Sequence, residues 1–124
     1  MKQALILAAA AVDKKAIAPV LLEVTDLVSY ADHLLIVTGS SAPHVEAIVN
    51  SCVEAARENG VEKLCSEGTS SWKWVLVDFG DTVLHVFQPN ERGYYDLEGL
   101  WMDAARIQIP GVELVLSPPG YVAS

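Results

Sequence analysis

The hydrophobic and polar positions near the start of this chain predict two helices. Residues 2–13 are rich in alanine and contain no helix breaker, which favours a first helix. Residues 43–59 carry apolar side chains at helical spacing on one side and polar side chains on the other. Ser41 is a suitable N-cap for this second helix and Gly60 suits the position after its end. We therefore expect an amphipathic helix that packs on a sheet.

Strand patterns occupy the stretches between and after these helices. Short apolar runs at residues 20–24 and 34–38 predict two strands, the second of them covered on both faces. Another strand is expected near residues 62–66. Residues 72–78 and 82–87 predict a hairpin whose turn is Phe79-Gly80-Asp81. Alternation along its first strand places Trp72, Trp74, Leu76 and Asp78 on one face, and Lys73, Val75 and Val77 on the other.

The C-terminal third of the chain predicts one more helix and a tail. The helix is expected from residue 91 or 92 to residue 103, with Tyr94, Leu97 and Trp101 on one face and Tyr95 beside them. Residues 107–124 hold three prolines and no firm period, so we expect a tail, to which residues 112–116 could add an edge strand. The order of elements predicts one α/β domain at residues 1–106, with a mixed β-sheet and packing helices.

The charge pattern changes the picture of what this domain binds. The net charge is −8, from 16 acidic and 8 basic side chains, and the basic ones are scattered. Nucleic-acid binders gather Lys and Arg into a patch. We therefore expect no direct nucleic-acid binding, and a basic protein as the partner. Beyond Lys73, only Arg92 and Arg106 oppose the acidic residues Asp78, Asp81, Glu91, Asp96, Glu98, Asp103 and Glu113.

Neither the apolar segments nor the cysteines indicate a membrane protein or a secreted one. The apolar stretch at residues 4–12 is too short to span a bilayer and does not have the pattern of a secretory signal. Two cysteines make no disulfide framework in a chain of 124 residues. Cys52 lies in the apolar stripe of the second helix and is expected to be a buried free thiol. We expect a cytoplasmic protein without membrane contact.

Each motif that resembles a catalytic one has a structural explanation. Asp78-Phe79-Gly80 matches a metal-binding triplet of protein kinases, but a hairpin turn explains the same residues and the other kinase motifs are missing. Residues 38–41 could hold an anion, yet a helix cap is the simpler interpretation. The three histidines are too dispersed for a zinc site. We predict no catalytic, cofactor-binding or metal-binding residue; the enzymatic alternative is a small nucleotidyltransferase using residues 39–41 and Asp78 or Asp81.

Residues 94–101 differ from these motifs because they combine aromatic and acidic side chains. Tyr and Trp dominate the binding hot spots of protein interfaces. The same residues could instead pack the last helix onto the sheet, and the pattern alone favours neither interpretation. Both remain open at the level of sequence.

The chain resembles the Iojap/RsfS family of ribosomal silencing factors. The segments that carry the resemblance are ADHLLIVTGSS at residues 31–41 with His44-Val45, Glu67-Gly68, WVLVDFGD at 74–81, His85-Val86-Phe87 and RGYYDLEGLW at 92–101. Each is a weak pattern alone, but the ordered set is specific and covers roughly residues 20–104. Gly93 departs from the bulkier residue usual at that place in the family.

The resemblance implies a nucleotidyltransferase-like fold without catalytic carboxylates, and so a protein that is not an enzyme. It also implies binding to ribosomal protein fourteen (uL14) of the large ribosomal subunit, which blocks subunit joining and represses translation under nutrient limitation. A role in assembly of the large subunit is the alternative. Family members also occur as homodimers. Carried onto this chain, the expected partner-binding residues are Trp74, Asp78, Phe79, Asp81, His85, Tyr94, Tyr95 and Trp101.

Overall fold

A computed structural model describes residues 2–112 of the chain. Within this range the elements follow in the order α1 (Lys2–Asp13), β1 (Ile17–Glu23), β2 (His33–Thr38), α2 (Ala42–Glu58), β3 (Cys65–Glu67), β4 (Trp74–Asp78), β5 (Thr82–Phe87), α3 (Pro89–Tyr95), α4 (Leu97–Leu100) and β6 (Ala105–Ile107). The described strands form one six-stranded sheet in the order β3-β4-β5-β2-β1-β6. Because β2 and β5 are parallel and the other neighbours antiparallel, the predicted mixed α/β fold is confirmed.

Helices α1 and α2 cover one face of the sheet and bury the first core. The apolar stripe of α2, including Val45, Ile48 and Cys52, packs there with alanines of α1 and with Val75 and Val77 of β4. The Ser41 side chain accepts the backbone N–H of His44, which caps α2 as predicted. Cys52 is a free buried thiol, as predicted, and its burial raises its pKa to about 12.

The other face of the sheet carries the second core, which the C-terminal segment covers only in part. Leu34 and Ile36 of β2 and Phe87 of β5 are fully buried there, whereas Trp74 and Leu76 of β4 are half-buried. Leu97 and Trp101 pack against this core from α4 and the turn that follows it. The end of the sheet formed by β3 and β4 therefore keeps a partly open face.

The single helix predicted over residues 91–103 is wrong, because Asp96 divides it into α3 and α4. Asp96 adopts a left-handed backbone with φ 44°, and its carboxylate accepts the backbone N–H of Gly99. Aspartate in this role competes with the helical hydrogen bonds and starts a new helix instead. Tyr94 is 83% exposed, whereas Leu97 and Trp101 pack against the second core, so these side chains do not share a face.

The predicted position of Trp72 is also wrong. β4 begins at Trp74, and Trp72 has φ 59°, outside the extended conformation. Since the alternation does not reach back to Trp72, its side chain packs against the first core, opposite to Trp74. The predicted faces of Val75, Leu76 and Val77 are confirmed.

The C-terminal edge of the sheet is β6, which pairs with β1 across the boundary predicted after residue 106. Ile109 is buried in the first core, so the chain keeps packing on the domain past that point. The strand suggested at residues 112–116 lies, apart from Val112, outside the described residues. β3 begins three residues later than predicted, at Cys65.

Candidate protein-binding surface

Four side chains on the open face of the sheet form what we call the aromatic cluster: Trp74, His85, Phe87 and Tyr95. The Trp74 ring lies 5.0 Å from the Phe87 ring, nearly parallel to it, and 4.4 Å from the Tyr95 ring. Trp74 and Phe87 are direct partners in the pairing of β4 with β5, so the sheet itself sets their stacking. Tyr95 reaches the cluster from the end of α3 and is 46% exposed.

A hydrogen bond fixes the orientation of the half-buried indole. Trp74 Nε1–H donates to His85 Nδ1 at 3.1 Å. Because a protonated imidazole has no acceptor nitrogen, this bond requires neutral His85 with its proton on Nε2. Burial lowers the pKa of His85 to about 4, which keeps the ring neutral near pH 7. Trp74 is therefore held in one position before any partner arrives.

The depressed pKa of His85 predicts that the fold loses stability in mild acid. Histidine in the unfolded chain binds a proton near pH 6.5, whereas folded His85 stays neutral down to about pH 4. The stability that neutral His85 contributes is complete above pH 6.5 and is lost as the pH falls from 6.5 to about 4. One pKa unit corresponds to about 1.4 kcal/mol, so the loss from His85 approaches roughly 3 kcal/mol. Urea denaturation at several pH values measures it.

The control for this effect is His85→Gln, which removes the titrating ring. This variant should show a much flatter dependence of unfolding free energy on pH between 6.5 and 4. Burial also lowers the pKa of His33, so a smaller slope of the same sign remains. An equal slope in His85→Gln and the wild type would show that the neutral His85 ring does not contribute to it.

Carboxylates flank the other end of the same face. Asp78 ends β4, on the same side as Trp74 and Leu76, and its Oδ1 accepts the backbone N–H of Gly80 at 2.8 Å. Asp81 is exposed in the turn, and its carbonyl accepts the backbone N–H groups of Asp32 and His33. The turn predicted at residues 79–81 is thereby confirmed.

Buried Arg92 makes the exposed charge here more negative than the sequence suggested. Its side chain is only 6% exposed and donates through Nη1 to the carbonyl of Ile17 and to Thr38 Oγ1. The sequence counted Arg92 among the few cations set against the acidic residues beyond Lys73. Because the guanidinium is buried, a partner cannot contact it as a surface cation, which agrees with the expectation of a basic partner.

The structure brings only some of the predicted contact residues together. Trp74, His85 and Tyr95 share the aromatic cluster, and Tyr94 contacts Tyr95 edge-on at 5.1 Å. Phe79 does not join them: it is 3% exposed and belongs to the first core on the opposite face. Trp101 packs against the second core and covers part of the same face.

Sequence reasoning did not select Leu76, Phe87 or Arg92 for this surface. Leu76 lies between Trp74 and Asp78 on the half-buried side of β4, and the alternation of that strand already indicated it. The Phe87 ring stacks on the Trp74 ring. No local pattern signals the role of Arg92, because its acceptors, Ile17 and Thr38, come from distant strands.

The geometry does not assemble the nucleotidyltransferase alternative. Gly39 N–H bonds the carbonyl of Phe87 at the end of β5, whereas Asp78 pairs with Val83 near its start. The turn at residues 39–41 and the carboxylates are thus separated by roughly 13 Å of strand. Ser40 Oγ does lie 3.1 Å from His44 Nδ1, but that nitrogen also accepts the Ser40 backbone N–H, a local bond at the start of α2. Among residues 2–112, no group of three His, Cys, Asp or Glu side chains could hold a metal ion.

Within residues 2–112, fold and surface together define an α/β protein with a partly open sheet face that presents a fixed tryptophan beside carboxylates. A family model described as "Ribosomal silencing factor during starvation" matches residues 1–119. The chain belongs to this family of ribosomal silencing factors. The family's name describes a regulatory role rather than a catalytic one.

Individual relatives agree with this assignment. The chain is 44% identical to the ribosomal silencing factor RsfS of Bacillus subtilis over 104 residues, which cover 83% of this chain and 88% of the relative. A crystal structure of a protein from Chromobacterium violaceum superposes with a TM-score of 0.80 at 34% identity, covering 97% of both chains. A mouse relative named "Mitochondrial assembly of ribosomal large subunit protein 1" is 35% identical over 77 residues, 58% of this chain and 33% of its own length.

No helix in the part of the chain that the structure describes is both long enough and apolar enough to cross a bilayer.

Proposed function

We propose that this chain is a ribosomal silencing factor that binds ribosomal protein fourteen of the large subunit and so blocks joining of the small subunit. One observation carries the choice of surface: Trp74 is half-buried, stacked on Phe87 and hydrogen-bonded to His85, on the face that the helices leave open. A preorganised aromatic side chain binds with little loss of conformational freedom, which is the usual character of an interface hot spot.

The charge of the surface supports a protein as the partner. Asp78 and Asp81 border the face, and Arg92 is withdrawn into the core. An acidic surface repels the phosphates of ribosomal RNA and attracts the lysines and arginines of a ribosomal protein. Contact through a protein, with no direct nucleic-acid binding, follows from this complementarity.

Sedimentation with purified ribosomal subunits tests the proposal. We expect the chain to co-migrate with the large subunit and to reduce formation of joined ribosomes when small subunits are added. The small subunit alone is the control. Failure to co-migrate, or unchanged joining at saturating protein, would overturn the proposed function.

Neutralising the two carboxylates should weaken binding in a salt-dependent way. Asp78→Asn keeps the oxygen that accepts the Gly80 N–H, so the turn survives the loss of charge. Combined with Asp81→Asn, it should weaken binding about tenfold at low ionic strength and less at high ionic strength. Asp13→Asn combined with Glu58→Gln, at the exposed ends of α1 and α2 on the opposite face, is the matched control because it also removes two charges. Equal effects of the two changes would locate the partner elsewhere.

A second candidate is a role in assembly of the large subunit through the same surface. The name of the mouse relative favours it. Quantitative sedimentation separates the two functions: an assembly factor binds immature large subunits better than mature ones, whereas a silencing factor binds mature subunits and blocks their joining.

The setting that we propose is the cytoplasm, supported by bacterial relatives that match this chain more closely than the mouse one does. The homodimer implied by the resemblance stays a prediction. Sedimentation velocity at several protein concentrations measures whether the chain is a monomer or a dimer.

A further inference from the structure

The Arg92 side chain links α3 to β1 and β2, the strands that lie on the other side of β5 from Trp74. Its Nη1 lies 2.9 Å from Thr38 Oγ1 and 3.3 Å from the carbonyl oxygen of Ile17. Ile17 and Thr38 are partners in the pairing of β1 with β2, so the guanidinium bonds both strands at one level of the sheet. Both Arg92 and Thr38 are buried, which makes these bonds stronger than exposed ones.

The backbone next to Ile17 is irregular. The register of β1 shifts between Ile17 and Val20, and Ala18 in that interval has φ 48°. A left-handed conformation is unfavourable for alanine and persists only where its surroundings enforce it. A bulge of this kind redirects the neighbouring backbone groups, here next to the carbonyl that Arg92 contacts.

The same level of the sheet continues to the aromatic cluster. Thr38 pairs with Phe87 across β2 and β5, and Phe87 pairs with Trp74 across β5 and β4. Helix α3 lies over this row. At its N-terminal end, Gln88 donates hydrogen bonds to the carbonyls of Trp72 and Lys73. One turn later, Arg92 donates to β1 and β2. Tyr95, three residues beyond Arg92, then meets the Trp74 ring.

We propose that Arg92, bonded to Thr38 and Ile17, is a positioning residue that sets α3 so that Tyr95 packs on Trp74 and completes the binding surface. The inference rests on the proposed function for its effect on binding. It does not make Arg92 a contact residue, since the side chain is buried beneath the helix. Its influence on a partner passes through Tyr95 and Trp74.

Substitutions at Thr38 test this without removing the buried cation. Thr38→Val deletes the hydroxyl acceptor at nearly constant volume, and Thr38→Ser retains it. Thr82→Val is the matched control, because Thr82 is fully buried on β5 and its Oγ1 has no hydrogen-bond partner within the described residues. We expect Thr38→Val to weaken large-subunit binding about fivefold to tenfold, with Thr38→Ser and Thr82→Val within about twofold of the wild type.

The NMR resonance of the Trp74 indole N–H gives a second measurement that needs no ribosome. It should shift in Thr38→Val and stay in place in Thr38→Ser and Thr82→Val. A residue that only stabilised the fold would lower the melting temperature and leave this resonance unchanged in the folded protein. If the wild type fails to bind the subunit, the proposed function fails while the indole resonance still decides the role of Arg92.

Wild-type binding by folded Thr38→Val, an unmoved indole resonance, or equal losses in Thr38→Val and Thr38→Ser would each overturn the inference. If Thr38→Val does not fold, Arg92→Lys replaces it. A lysine ammonium is a point charge that cannot reproduce the planar guanidinium, so the same shift and the same weakening are expected.

Discussion

Replacing Trp74 by alanine should weaken binding to the large ribosomal subunit by about 30-fold or more, a loss of about 2 kcal/mol. The indole is half-buried on the open face, and its contacts with Phe87 and Tyr95 hold it in place. The variant removes the anchor and leaves the sheet's backbone pairing intact. Titration of fluorescently labelled protein with purified large subunits measures the affinity.

Trp72→Ala provides the matched control. Trp72 is also partly buried, but it packs against the first core on the opposite side of the sheet. It should therefore cost comparable folding stability and leave the affinity for the subunit unchanged. Equal losses of affinity in the two variants, or wild-type affinity in a folded Trp74→Ala, would exclude the aromatic cluster as the contact.

Gly68→Ala should destabilise the fold by about 3 kcal/mol or more. Gly68 has φ 88°, a conformation that disfavours side chains. A Cβ at this position would clash with the carbonyl oxygen of Trp74 and lie 3.0 Å from its carbonyl carbon, and backbone cannot move aside as a flexible side chain can. The start of β4 would have to shift, and Trp74 with it. Chemical denaturation measures the loss of stability.

Gly60→Ala separates the two contributions to this effect. Gly60 has a similar φ of 81°, but nothing lies within 4 Å of an added Cβ. Only the conformational penalty remains, about 1 kcal/mol. The difference between the two variants measures the close approach of Gly68 to Trp74. If both variants lose the same stability, the backbone around Trp74 is not packed as described.

Periodicity predicted those parts of the fold in which local pattern and tertiary contact agree. The amphipathic stripe of α2 and the alternation in β4 identified the buried faces correctly, because a residue facing a core must be apolar whatever the topology. Ser41 and Gly80 were placed by the same logic, since capping and tight turns are local requirements. The resemblance contributed the family, which pattern alone could not supply.

The errors arose where one residue overrode a longer pattern. Asp96 satisfies two helix ends at once and divides the predicted last helix, although the residues around it are compatible with a continuous one. Trp72 leaves the strand through a left-handed conformation that propensity does not anticipate. Phe79 was predicted as a contact because the resemblance implied it, but the turn directs it into the first core.

The candidate site was predictable in composition and not in arrangement. Aromatic and acidic residues near residue 94 left a protein interface open as one of two interpretations, and the resemblance added the contact residues of the hairpin. The bond from Trp74 to His85 and the buried position of Arg92 depend on strands distant in sequence. A sequence pattern contains no information about such long-range pairing until the register of the sheet is known.

Photo-cross-linking on native large subunits tests most directly whether this face binds a ribosomal protein. A photoreactive residue replaces Tyr94, which is 83% exposed beside the aromatic cluster, or Glu58, which is exposed at the end of α2 on the opposite side. We predict cross-links from position 94 to a protein of the large subunit, identified as protein fourteen, and none from position 58. Cross-links from position 58 alone, or from position 94 into ribosomal RNA, would contradict the account.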